Sequence, residues 1–241
     1  MLTKTVNKKL AVLGYHKVGK PYPGGWETWY YVAESDFVNQ LRYLHENNWK
    51  VIDLSTFLRG IVEPDILPNK AALITFDDGH KSVHDFALPI LKIFNYPAVL
   101  FIPTGFIGKK NSFDNLAEPE EPICDRDELQ ELELNGVAIQ SHGVSHLSMS
   151  ELTLLEQEAE LQSSKAVLED ILQRSVDTFA FPYGDNGLET ALMENALKRA
   201  GYKAAFLYGG GIINLPLDDP FQIERLAIGS DTNLKAMMEF L

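Results

Sequence analysis

Short, mostly apolar and β-branched runs punctuate the chain at Leu10–Tyr15, Ala71–Phe76, Ala98–Ile102, Val137–Gln140, Thr178–Phe181, Lys203–Tyr208 and Ile223–Ile228, and each reads as a strand. Ala71–Phe76 lacks in-and-out alternation, which predicts a strand covered on both faces, as in a parallel sheet flanked by helices. Trp49–Leu54 reads as a further short strand and Ser55–Leu58 as a short helix. Between the runs, apolar residues recur at helical spacing. Phe37, Leu41 and Leu44 follow a cap at Ser35 or Asp36 and end near Asn47–Asn48. Val83, Ala87, Ile90, Leu91 and Phe94 form a second set; Leu129 and Leu132 mark a third, closed by Gly136. Thr153 and Glu156 make a capping box for a long helix carrying Leu154, Leu161, Val167, Leu168, Ile171 and Leu172. A helix over Leu188–Ala200 and one capped by Asp231 complete the series. Strands alternating with helices, with no composition break to mark a linker, predict one α/β barrel spanning residues 1–241 as a single domain.

In such a barrel, polar residues at strand C-terminal ends gather at one mouth. Here those ends carry His16, Asp77 with Asp78, His142 with His146, and Tyr183. Two adjacent carboxylates repel one another and are costly to desolvate, so a cation or strong donors are expected beside them; a solvated Asp-Asp-Gly turn is the plainer alternative. One carboxylate with two imidazoles is a ligand set used for catalytic zinc, and a second carboxylate is then placed as general base. His80 and His84, four apart on the following helix, form a rival pair. The loop Lys17–Tyr31 holds Tyr22, Trp26, Trp29, Tyr30 and Tyr31, suited to stacking on sugar faces or to covering the barrel end. Glu118, Glu120 and Glu121 in the loop 104–124 read as a solvated acidic face.

Charge narrows the partners. A net charge of −13 over 241 residues disfavours nucleic acid and anionic membranes, both of which would repel the chain. The lone Cys124 rules out an intramolecular disulfide. The start, Met1–Lys9, is basic, but the apolar run Leu10–Leu13 behind it is too short for a signal segment, and no stretch is long enough to span a membrane. Sequence alone therefore favours a cytoplasmic protein.

Thr75-Phe76-Asp77-Asp78-Gly79, then Ser141-His142-Gly143-Val144-Ser145-His146, then Phe181-Pro182-Tyr183-Gly184 resemble, in order and spacing, the three leading motifs of the polysaccharide deacetylases. This is the NodB-homology group, carbohydrate esterase family four. The Tyr15-His16 strand end is similar to the subgroup acting on poly-N-acetylglucosamine. The resemblance covers about residues 10–230, with its core motifs within 70–230. It implies a distorted (β/α)7 barrel and metal-assisted hydrolysis of N-acetyl groups on an N-acetylglucosamine-containing carbohydrate. By that resemblance Asp77 is the base, Asp78, His142 and His146 are the metal ligands, and the Tyr183 backbone N–H stabilises the oxyanion. The implied metal is zinc, with nickel or cobalt also fitting the ligand set, and the resemblance leaves an exported or cell-envelope role open. Two positions depart from the family pattern. Ala180 stands where an arginine holds the base, and no histidine follows His146 to act as general acid. Arg225 on the last strand and His16 on the first are the residues available for those places. The alternatives are a carbohydrate-binding barrel that has lost turnover, or a deacylase of a small cytosolic amide.

Overall fold

The computed structural model of the chain describes residues 8–114, 117–211, 213 and 215–239. Most of the basic N-terminal stretch thus lies outside the described residues. Ten strands occur among them: β1 (Lys9–Tyr15), β2 (Lys17–Val18), β3 (Tyr31–Val32), β4 (Lys50–Val51), β5 (Lys70–Phe76), β6 (Ala98–Ile102), β7 (Val137–Ser141), β8 (Thr178–Ala180), β9 (Ala204–Phe206) and β10 (Leu226–Ala227). The helices are α1 (Glu34–Glu46), α2 (Leu54–Gly60), α3 (Leu88–Phe94), α4 (Arg126–Leu134), α5 (Leu154–Leu172), α6 (Thr190–Ala200) and α7 (Leu234–Glu239).

One sheet runs β10-β1-β5-β6-β7-β8-β9, with every pairing parallel. The segment before β10 closes the ring. Phe206 bridges Ile223 in parallel, and the Leu207 N–H donates to the Ile223 carbonyl at 2.9 Å. The result is a seven-strand α/β barrel of irregular build. Strand β4 pairs with the first half of β5 and β6 with its last two residues, so two elements share one edge.

Side-chain parity divides the core. Alternate residues of a strand point to opposite faces. Leu10, Val12, Ala71, Leu73, Val99, Phe101, Ala204 and Phe206 fill the space the strands enclose. Their neighbours Ala11, Leu13, Ala72, Ile74, Leu100 and Ile102 pack outward with the helices, among them Phe37 and Leu41 of α1. Helix α2 sets Phe57 against Phe206, ring centroids 5.6 Å apart. Thr75 and Asp77 keep the inward parity of Leu73, and that is how the β5 end delivers a carboxylate to the interior.

Several local readings change. Helix α1 is capped at Ala33, so Ser35 and Asp36 lie within its first turn. Trp49–Leu54 yields only a two-residue strand, because Asp53 caps α2 by accepting from the Thr56 N–H at 2.6 Å. Before α3 the chain makes a π turn over Val83–Ala87. Asp125 and Glu128 form a capping box on α4, and the Thr153–Glu156 box on α5 is present. The final helix takes its cap from Asn233, whose Oδ1 accepts the Ala236 N–H at 3.0 Å, while Asp231 instead accepts the Trp29 indole N–H at 2.6 Å.

Candidate active site

The strand ends converge as the sequence implies. Asp78 leaves β5 with φ +67°, followed by Gly79 at φ +71°, where a Cβ would lie 2.4 Å from Ile102 Cγ1. His146 and Tyr183 each sit at φ +58°. Positive φ at three non-glycine residues of one site is local strain, about 1–3 kcal/mol each, that the surrounding structure must over-determine. Part of that support is visible: Glu160 of α5 accepts the Val144 and Ser145 N–H groups at 2.5 and 3.0 Å, pinning the loop between the two histidines.

Four imidazoles surround Asp78. On the Oδ1 side lie His146 Nε2 at 3.1 Å and His142 Nε2 at 3.4 Å. On the Oδ2 side lie His80 Nε2 at 3.5 Å and His16 Nε2 at 3.9 Å. The ligand atoms of Asp78, His142 and His146 all fall within 4.8 Å of one another, and all three residues are buried. The His142 tautomer suits a metal ligand. Its Nδ1–H donates to the Ala180 carbonyl at 2.7 Å, leaving Nε2 bare toward Asp78. His146 Nδ1 lies 3.3 Å from the Tyr183 hydroxyl, and its ring packs on Phe113 at 4.1 Å between centroids. One carboxylate and two oriented imidazoles around one point fit a divalent cation such as zinc.

Asp77 occupies a different environment. Arg225, completely buried, grips it through two parallel hydrogen bonds, Nη1 to Oδ1 and Nη2 to Oδ2, both 2.7 Å. The guanidinium also donates to the Leu207 carbonyl at 2.6 Å and to Thr75 Oγ1 at 3.2 Å. It packs among the rings of Phe101, Tyr208 and Phe206, 5.5–5.9 Å from their centroids. Burial alone would raise the Asp77 carboxyl; the Arg225 guanidinium outweighs it and holds it below the ordinary carboxylate range. Burial likewise opposes ionisation of Asp78, but the imidazoles around it, His16 first, hold it well below that range. His142 is raised because Asp78 and Asp77 outweigh the burial that opposes its charge, whereas burial lowers His146. Burial also pushes His16 down to about 4, so its ring is neutral near pH 7.

A cavity of about 320 Å³ opens over these groups, walled by Tyr30, Tyr183, Tyr208, Asp114 and Glu118. His16 faces it between Tyr30 and Tyr208, with ring centroids 4.6 and 4.9 Å away. The rival histidine pair is split. His80 turns into the site, while His84 turns away to Asp85 at 2.9 Å and Glu131 at 3.2 Å. Of the acidic loop only Glu120 is a solvated residue, paired with the equally exposed Lys110 at 3.2 Å. Glu118 pairs with the buried Lys17 at 2.7 Å, and Glu121 is buried and accepts the Tyr22 N–H at 3.0 Å. Burial and the nearby Asp78 charge push Asp114 up to about 7. Sequence reading missed Lys17, Asp114 and Tyr208 as parts of the wall. Tyr208 had a signal, as the last residue of its predicted strand; Lys17 and Asp114 had none beyond their nearness to His16 and the acidic loop.

With this geometry in hand, comparison with known proteins defines the class. The polysaccharide deacetylase family model matches residues 65–205, more than half of the chain, and the chain belongs to that family. It is 28% identical over 214 residues to the poly-beta-1,6-N-acetyl-D-glucosamine N-deacetylase of Staphylococcus aureus, covering 84% of this chain and 69% of that protein. It is 25% identical over 195 residues to YxkH of Bacillus subtilis, covering 81% of this chain and 63% of that one. The chain thus spans 63% to 69% of the length of these curated relatives. Among solved structures, the Streptococcus pyogenes deacetylase PplD in complex with acetate superposes with a TM-score of 0.81 at 20% identity, over 96% of this chain and 97% of that one. That likeness fixes the fold. His16 and Arg225 lie outside the segment the family model matches, so their part in the site rests on geometry. No helix among the described residues is long and apolar enough to cross a membrane.

Proposed function

We propose that this chain removes N-acetyl groups from a polymer or oligosaccharide containing N-acetylglucosamine, with a divalent metal, zinc by the ligand set, held by Asp78, His142 and His146. The observation that carries the reading is the division of labour between adjacent carboxylates. Asp77 is bound by Arg225 at 2.7 Å through both oxygens, whereas Asp78 faces imidazoles. When bound, the metal would polarise the acetyl carbonyl and lower the pKa of a water at the site.

The chain's own residues supply the rest. Asp77, kept ionised, accepts the proton of the attacking water; each oxygen that receives a bond from Arg225 retains a lone pair for this. The Tyr183 backbone N–H stabilises charge on the carbonyl oxygen as the tetrahedral intermediate forms. Collapse breaks the C–N bond and releases acetate, and the amine takes up the proton that Asp77 removed. His16 relays it: neutral at rest, the ring takes up that proton from Asp77 as negative charge builds beside it, then donates it from Nε2 to the leaving nitrogen. Arg225 takes the place that Ala180 leaves open, which removes one of the two departures that favoured a barrel without turnover. A sugar polymer as substrate also implies work outside the cytoplasm or in the cell envelope.

The test is acetate release by the zinc-loaded protein from poly-N-acetylglucosamine, chitin oligomers and a small N-acetyl amide. Release from a carbohydrate but not from the small amide is expected. Binding without release would mean an impaired carbohydrate-binding protein, and turnover confined to the small amide would overturn the substrate class.

A further inference from the structure

His80 is an oddity that the reaction above does not use. Its side chain is 1% exposed, and neither ring nitrogen has a hydrogen-bond partner among the described residues. A buried polar group left unpaired costs about 1–3 kcal/mol, so such a ring calls for a reason. Its place is fixed by the backbone. His80 bridges Ile123, the Cys124 N–H donates to the Gly79 carbonyl at 2.9 Å, and the Lys81 N–H donates to the Pro122 carbonyl at 2.9 Å. The polar atom Nε2 is thereby held 3.5 Å from Asp78 Oδ2, on the side away from His142 and His146. Of the other imidazoles, His16 stands farther from Oδ2, its Nε2 at 3.9 Å.

We propose that His80 is the positioning residue of the metal site: its Nε2–H holds Asp78 Oδ2, so that Oδ1 stays turned toward His142 and His146. A carboxylate on a short side chain can rotate to present either oxygen or both. Anchoring one oxygen with a buried donor leaves the other as a ligand of fixed direction, and such outer partners are worth about 10- to 100-fold in metal affinity or activity. A shift of a few tenths of an ångström would bring Nε2 and Oδ2 to hydrogen-bond distance and give both buried groups a partner. His84 takes no part, being engaged by Asp85 and Glu131. The inference rests on the metal reading above.

The test is the zinc dissociation constant of the full chain, measured by competition with a chromophoric chelator. The proteins compared are wild type, His80→Leu, His80→Gln, His80→Asn and His142→Ala, each checked for fold by near-UV circular dichroism. His80→Leu should weaken zinc binding 10- to 100-fold with the fold retained. His80→Gln, whose amide reaches about as far as Nε2, should recover most of the affinity, and the shorter His80→Asn should not. If the Leu variant fails to fold, the Gln and Asn pair, matched in polarity, decides alone. Affinity within twofold of wild type in His80→Leu, or equal affinity in the Gln and Asn variants, overturns the positioning role. Loss of zinc in His142→Ala alongside such a result leaves the metal reading standing; wild-type affinity in His142→Ala removes the metal reading itself.

Discussion

Replacing Arg225 with methionine keeps an apolar stem among the Phe101, Phe206 and Tyr208 rings but takes away the charge that holds Asp77. Asp77 is 2% exposed, so its carboxylate would be left in the interior with no counter-charge, and the Leu207 carbonyl and Thr75 hydroxyl would each lose a donor. Breaking one side of a buried, hydrogen-bonded ion pair costs about 3–5 kcal/mol. For a chain of this size each kcal/mol moves Tm by about 2–4 °C, which gives a fall of about 6–20 °C. Adding Asp77→Asn should recover most of the loss, because the second change removes the stranded charge. The sign of the pH effect also follows. Arg225 depresses the Asp77 carboxyl, so its removal raises it, and the acid limb of the acetate-release profile should move to higher pH. Urea unfolding of the two single variants and the double variant, with the pH profile of Arg225→Met, checks both parts. A cost under about 1 kcal/mol, typical of surface pairs, together with an unmoved acid limb, would refute the reasoning.

Three further outcomes are expected. His16→Ala should lose about 10²- to 10⁴-fold in turnover while retaining zinc and fold, and wild-type turnover would end its role as acid. Lys17→Met strands Glu118, whose side chain is 8% exposed and otherwise bonded to the Thr28 hydroxyl; the loss should be about 3 kcal/mol, largely restored by adding Glu118→Gln. A null effect there would mean that the pair does not fasten the loop over the cavity. Asp185 is held down at about 2, against the burial that would raise it, by the Ser148 hydroxyl and the Ser150 and Gly187 N–H groups. Its folded value lies below its unfolded one, so its contribution is present above about pH 4 and lost between about pH 4 and 2. Asp185→Asn should flatten the urea midpoint in that window, and an unchanged slope would contradict this.

What the sequence discloses follows range of interaction. Strand runs and the Thr153–Glu156 box are local, and they appear where periodicity and capping place them. The convergence of His16, Asp77, Asp78, His142, His146 and Tyr183 is also legible, since strand polarity in a parallel barrel sends all C-terminal ends to one mouth. Pairings across the fold are not. Lys17 and Glu118 are 101 residues apart, so no periodicity joins them; Arg225 and Asp77, 148 apart, are joined only through the family resemblance, which leaves Arg225 for the place that Ala180 vacates. Glu118 and Glu121 look solvated as a run of acids, because composition cannot reveal that a buried lysine and a backbone N–H await them. The caps show the same limit at short range. Ser35, Asp36 and Asp231 are good capping residues by type, but helix entry falls at Ala33, with no side-chain cap, and at Asn233, which accepts from the Ala236 N–H.

The central claim is that Asp78 and its two histidines hold a metal while Asp77 acts beside it as a base. The most direct measurement is metal content and acetate release, taken together, for wild type, Asp77→Asn and His142→Ala. One equivalent of metal with turnover is expected for wild type, one equivalent with turnover lowered by about 10²-fold or more for Asp77→Asn, and neither for His142→Ala. Stoichiometric metal with intact turnover in His142→Ala, or full turnover in Asp77→Asn, would contradict it.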